Sequence, residues 1–108
     1  MNLRDVAADL DLEVLSGSIE CEFSGGYTSD LLSDVMANAE EGSALITIQA
    51  HTNTVAVASH ADLPLVIVCN ERPVPQEMLS AAADQSITIC RTAKTQFQVS
   101  GILYAQLR

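Results

Sequence analysis

The stretch 44-ALITIQAHTNTVAVASHADLPLVIVCN-70 decides the fold. Its ends, ALITI (44–48) and LPLVIVCN (63–70), are unbroken apolar runs, the pattern of strands covered on both faces in a parallel sheet. Between them, His51-Thr52-Asn53-Thr54 allows two readings. A hairpin at Asn53 would set two antiparallel strands side by side, and Asn-Thr is a poor two-residue turn compared with Asn-Gly. A helix would instead supply the crossover of about a dozen residues that parallel neighbours need, and residues 49–62 are long enough for it. Val55 and Val57 oppose the helix through their branched Cβ atoms, while Ala56, Ala58 and Ala61 favour it. The sequence is therefore read as strand, helix, strand. Gln49, His51 and Asn53 then lie at the carboxyl end of a buried strand, where open α/β sheets bind ligands.

Working outward, the same alternation continues. Leu3, Val6, Ala7 and Leu10 are spaced for a short amphipathic helix behind an Asn2 cap, and LEVLS (12–16) reads as a strand. Ile19, Cys21 and Phe23 alternate with Ser18, Glu20 and Glu22, which predicts a half-wet strand near a sheet edge, interrupted by Gly25-Gly26. Leu31, Leu32, Val35, Met36 and Ala39 make a helical stripe, with Thr28 or Ser29 as its cap and Gly42 as its end. Pro75 suits the first position of a helix carrying Met78, Leu79 and Ala82. SITIC (86–90) is a further buried strand, and Val99, Ile102, Leu103 and Leu107 share one side of a last helix. The expected fold is a single three-layer α/β domain over 1–108, with a mostly parallel sheet of about five strands and alternating helices.

Bulk properties narrow the function. The 108-residue chain is 48% hydrophobic and 18% charged, with no run approaching the ~20 apolar residues of a membrane span. No secretory signal opens it, so a cytoplasmic protein is expected. Net charge is −9, and residues 1–62 hold eleven acids against one base. Such a surface repels a phosphate backbone, which excludes nucleic acid as an expected partner. Cys21, Cys69 and Cys90 sit in apolar stretches and read as small core hydrophobes. Only Cys90, beside Arg91, has the neighbouring charge that a reactive thiolate needs.

The order strand, GGYTSDLLSDVMANA, ALITIQAHTNTVAVAS, LPLVIVCN, SITICRT and TQF resembles the small stand-alone DRTGG-domain proteins, relatives of the amino-terminal domain of HPr kinase/phosphorylase. The resemblance spans nearly the whole chain. It implies a compact domain similar to those of HPr kinase and some cell-wall amino-acid ligases. It also implies a regulatory or dimerising role beside a larger metabolic or redox enzyme, as in phosphotransacetylases and regulatory pyrophosphatases. The chain departs from the family's naming motifs. It has Ala50-His51-Thr52 where relatives carry an Asp-Arg pair, and Cys69-Asn70-Glu71 where they carry Thr-Gly-Gly. Kinase activity is not expected: there is no GxxxxGK[ST] and the only lysine is Lys94.

The loops leaving the parallel strands should converge, bringing together Gln49, His51 and Asn53, then Asn70 and Arg72, then Arg91, Thr92, Lys94 and Thr95. With helix amino ends nearby, such a patch could hold a small anionic or nucleotide ligand. Thr52, Asn53 and Thr95 would equally serve as helix caps. His51 has no metal-ligand partners at suitable spacing, and no metal or cofactor is expected. Asp30 and Asp34 at i, i+4 are read as a solvated helix face. Ser29 with His51 lacks a recognisable orienting acid. The function expected is a non-catalytic, ligand-sensing regulatory module, a homodimer working beside a partner enzyme. The alternatives are a structural dimerisation adaptor without ligand and a small enzyme using His51 and Arg91.

Overall fold

The computed structural model describes residues 1–107. After a short 3-10 turn at Leu3–Asp5 come strands β1 (Glu13–Ser16) and β2 (Gly25–Thr28), helix α1 (Leu32–Asn38), β3 (Ser43–Thr47), α2 (Thr52–His60), β4 (Leu65–Val68), α3 (Gln76–Asp84), β5 (Thr88–Arg91) and α4 (Gln96–Leu107). The segment that opened the sequence reading is strand, helix, strand. The five strands form one sheet in the order β1-β5-β4-β3-β2, parallel throughout except for β1, which runs antiparallel to β5.

The parallel strands β2 to β5 are laid down in one direction across the sheet. Right-handed crossovers that all step the same way place all their helices on one face. Alternation along the strands confirms it. Leu45, Val66, Val68 and Ile89 pack with Val35 of α1, Val55 and Ala58 of α2, and Met78 and Ala82 of α3. Their neighbours Ala44, Ile46, Leu65, Ile67 and Cys90 point the other way, against Leu3, Val6 and Leu10 and against Val99 and Leu103 of α4. The amino-terminal segment and α4 thus form the third layer. All residues of β3 and β4 are buried, as their unbroken apolar runs require.

Four expectations change. Ser18–Phe23 is no strand of the sheet: Gly17 turns the chain at φ +90°, Ser18 Oγ accepts from Glu20 N–H, and only Asn2 and Glu22 bridge. The alternation of Ile19, Cys21 and Phe23 reflects packing against the amino terminus, where Leu3 N–H donates to Cys21 O and Phe23 N–H to Met1 O. The edge strand is instead Gly25–Thr28, the residues read as an interruption; without Cβ atoms, Gly25 and Gly26 still pair in register with Ser43 and Ala44. The first helix shrinks to the 3-10 turn, its Asn2 cap intact through Oδ1 and Arg4 N–H. Neither Thr28 nor Ser29 caps α1, which Leu31 precedes; Thr28 is bonded to Ser100, and Ser29 Oγ accepts from Leu31 N–H. Likewise Pro75 stands at the cap of α3, just outside the first helical position expected for it.

Candidate functional site

The carboxyl edge of the sheet gathers the ends of β2 to β5, and every site residue named from the sequence lies on it or on the turns leaving it. At ~4.8 Å per strand, the ends of β3 and β5 stand about 10 Å apart with β4 between them. His51 and Arg91 therefore share one edge.

In α/β sheets the ligand crevice opens where adjacent loops leave to opposite faces. Here that point lies between β4, whose chain goes on to α3, and β5, whose chain crosses to α4. The protein fills the gap itself. Asn70 N–H donates to Lys94 O (3.0 Å) and Glu71 N–H to Thr92 O (2.9 Å). Both donors have left-handed backbone, Asn70 at φ 61° and Glu71 at φ 52°, and this turns their amides toward the neighbouring loop. Arg91 is drawn into the same seam: Nη2 bonds Glu13 Oε1 at 2.9 Å, and Nε lies 3.3 Å from Glu71 Oε1. That second approach places opposite charges together without hydrogen-bond geometry, leaving the buried Nε to charge proximity alone. Lys94 pairs with Asp11 at 3.4 Å. The acids of the first half thus fold back onto two of the three bases expected to hold an anion.

Two threonines of the expected site have structural tasks. Thr92 is buried, its hydroxyl donating to Leu10 O at 2.7 Å, which fastens the amino-terminal segment to β5. Thr95 and Gln98 form a capping box at the start of α4: Gln98 N–H donates to Thr95 Oγ1 and Thr95 N–H to Gln98 Oε1.

The open part of the edge lies over β3. Exposed His51 precedes α2, and its Nδ1 accepts from Asn53 N–H at 3.0 Å, so the neutral ring carries its proton on Nε2, directed away from the cap. Gln49 donates to Asp30 O. Asp30, read from the sequence as part of a helix face with Asp34, precedes α1 and ties the edge together. Its Oδ1 accepts from Thr47 Oγ1 (2.8 Å), Ile48 N–H (2.9 Å) and Gln96 Nε2 (3.0 Å), joining β2, β3 and α4. Asp34 bonds Tyr27 and Asn38 instead. Nothing in the local pattern marked Asp30, because its partners are 17 to 66 residues away.

Cavities occur elsewhere. One of about 370 Å³ opens at the opposite edge, between Ser59, Asp62, Gln85 and Ser86, and one of about 400 Å³ runs between α2 and α3. Neither is lined by Gln49, His51, Asn53, Asn70, Arg91, Thr92 or Thr95. Among the described residues no group of three or more His, Cys, Asp or Glu is placed to hold a metal ion. Cys90 is fully buried, and burial pushes its thiol up to about 12; the adjacent Arg91 does not offset this. No described helix is long and apolar enough to cross a membrane.

No protein-family model and no curated protein matches the chain. Among solved structures it is similar to the CBS and DRTGG domains of the regulatory region of Clostridium perfringens pyrophosphatase, a structure complexed with the activator diadenosine tetraphosphate. The TM-score is 0.78 at 18% identity, over 98% of this chain and 46% of the other, so the chain spans about half the length of that structure. The fold is DRTGG-like.

Proposed function

We propose that this chain is a non-catalytic regulatory module that senses a small anionic or nucleotide ligand and acts with a larger metabolic or redox enzyme. The observation carrying this reading is the likeness of nearly the whole chain to part of an enzyme's regulatory region. The ligand would sit at the open end of the carboxyl edge, around Gln49, His51 and Asn53, with Asn70 and Arg72 on the next loop. His51 Nε2–H and the amino end of α2 offer donors there. Arg91, Thr92 and Thr95 brace the edge.

Thermal denaturation with diadenosine tetraphosphate, ATP and inorganic phosphate in turn tests it. A ligand at a hundred times its dissociation constant stabilises the fold by about 2.7 kcal/mol, and His51→Ala or Arg72→Ala should reduce that shift. Absence of a shift with every probe would reject ligand sensing by these phosphates.

The hydrogen bonds closing the seam between β4 and β5 favour a second reading, a structural adaptor without ligand. An enzyme built on His51 and Arg91 is not supported: Arg91 is held by Glu13 and Glu71, across β4 from His51.

A further inference from the structure

The two edges of the sheet are finished differently. β1 carries a register shift between Val14 and Ser16 and the charge of Glu13, devices that discourage another strand from pairing. β2, Gly-Gly-Tyr-Thr, has neither charge nor proline, pairs with β3 without a shift, and has no strand on its other side among the described residues. Ser29 N–H donates to Ile46 O, so the ladder uses the backbone of alternate residues and turns the N–H and C=O of Gly26 and Thr28 outward. A glycine within a strand commonly marks the close approach of another backbone, and Gly26 is exposed.

Each side of this edge has its own groove. On the α4 side, about 120 Å³ lies between Ile46, Leu103, Tyr104 and Leu107, and the Thr28 and Ser100 hydroxyls in its wall are bonded to each other at 2.7 Å. It is close in size to the ~150 Å³ cavity that accepts benzene, which suits one aliphatic side chain. On the α1 side, about 340 Å³ opens beside Tyr27, Asn38, Glu40 and Ser43. This second groove is acidic. Behind it the Asp34 carboxylate accepts from Tyr27 Oη and Asn38 Nδ2, while exposed Glu40 has no partner among the described residues. Asp30 stands at the carboxyl end of β2, and Asp9 accepts from Gln106 of α4. β2, α1 and α4 contain no Lys, Arg or His.

We propose that β2 receives an extended segment of another protein as a further strand, with an aliphatic side chain in the α4 groove and Lys or Arg at the neighbouring positions, directed toward Glu40. Successive residues of a strand point to opposite faces, so one segment serves both grooves. Main-chain hydrogen bonds to Gly26 and Thr28 supply the affinity, and the alternating side chains supply the selectivity. Charge selects against a second copy of this chain, because β2 paired with β2 would set the acids around one edge against those of the other in a molecule carrying −9. The inference rests on the reading of this chain as a module that acts with another protein, and it is independent of the ligand at the carboxyl edge.

The probe is a short peptide alternating lysine with valine, titrated into the full chain at moderate salt in a buffer free of phosphate compounds. It should bind saturably, several-fold more tightly than the same residues arranged in blocks or a peptide alternating glutamate with valine. Amide exchange followed by NMR should slow several-fold at Gly26 and Thr28 when the peptide is bound. Glu40→Lys should weaken binding several-fold. Asp84→Lys, the same charge change on α3, which packs against β1 and β5 at the other side of the sheet, should not. Gly26→Pro removes an outward donor and leaves the β3 ladder its bonds, so it should weaken binding with unchanged circular dichroism. Equal binding of the block peptide, unaltered exchange at Gly26 and Thr28, equal weakening by Asp84→Lys, binding indifferent to both Glu40→Lys and Gly26→Pro, or protection of the two amides by self-pairing of the free chain would each overturn the proposal. Thermal shifts with phosphate ligands are a separate readout, so loss of either reading leaves the other standing.

Discussion

Consecutive left-handed residues are tolerated at Asn70 and Glu71 because their amides have partners across the seam. Asparagine enters this region readily; glutamate does so at a cost of about 1 kcal/mol. Glu71→Gly removes that cost together with one partially exposed ion pair worth at most about 1 kcal/mol. Urea unfolding should therefore place it within about 1 kcal/mol of the native chain, and a larger loss would mean that Glu71 does more for Arg91 than its exposure suggests. Gly17 has no such latitude. A Cβ there would overlap the Thr88 side chain and approach Thr88 Cα to 2.7 Å at φ +90°, so Gly17→Ala should cost about 2 kcal/mol or more. The thiols give a third test. Burial raises Cys69 to about 11 and Cys90 to about 12, so alkylation at mildly alkaline pH followed by mass spectrometry should leave both unmodified in the folded chain, with any label confined to partly buried Cys21.

At the scale of elements, the structure turns on how β2, β3 and α4 are joined. Asp30 accepts three hydrogen bonds at one oxygen, and bonds to an ionised acceptor contribute about 1.5–3 kcal/mol each when broken. Asp30→Ala should destabilise by about 2 kcal/mol or more in urea, whereas Asp30→Asn, which keeps the acceptor but not its charge, should lose less. Nearby, Tyr27 donates to Asp34 at 2.8 Å, and this bond with that from Asn38 holds the Asp34 carboxyl below its ordinary value. A depressed carboxylate contributes above its unfolded pKa and loses that contribution as pH falls through the folded one, so the effect is confined to acid conditions. An NMR titration of Tyr27→Phe should move Asp34 back up. The parallel strands, the crossover helix and the polar carboxyl edge were legible because periodicity and length are local properties. Asp30 was not, since its role depends on which strands become neighbours. Nor was the β2 edge, because Gly-Gly ordinarily signals a break and only pairing with β3 makes it a strand.

For the whole molecule, the uneven charge of the sequence is redistributed by folding. Acids from the amino-terminal segment reach bases near the other end of the chain, as Asp11 with Lys94 and Glu13 with Arg91, and much of the remaining negative charge is uncompensated. Added salt should stabilise the fold by relieving self-repulsion more than it weakens these exposed pairs, so the urea midpoint should rise with ionic strength.

The antiparallel join of β1 to β5 carries a kinetic consequence. Glu13 and Arg91 are 78 residues apart, so this edge cannot close until nearly all of the chain is available, while β2 to β5 can assemble through successive local crossovers. A refolding chain should first build the parallel strands with α1, α2 and α3, leaving Ile46, Leu65 and Ile67 uncovered until the amino-terminal segment and α4 arrive. Stopped-flow chevrons should then show Val6→Ala and Val99→Ala accelerating unfolding with little change in the folding rate, and Val66→Ala slowing folding. During that interval the bare apolar face is where the nascent domain is most open to aggregation.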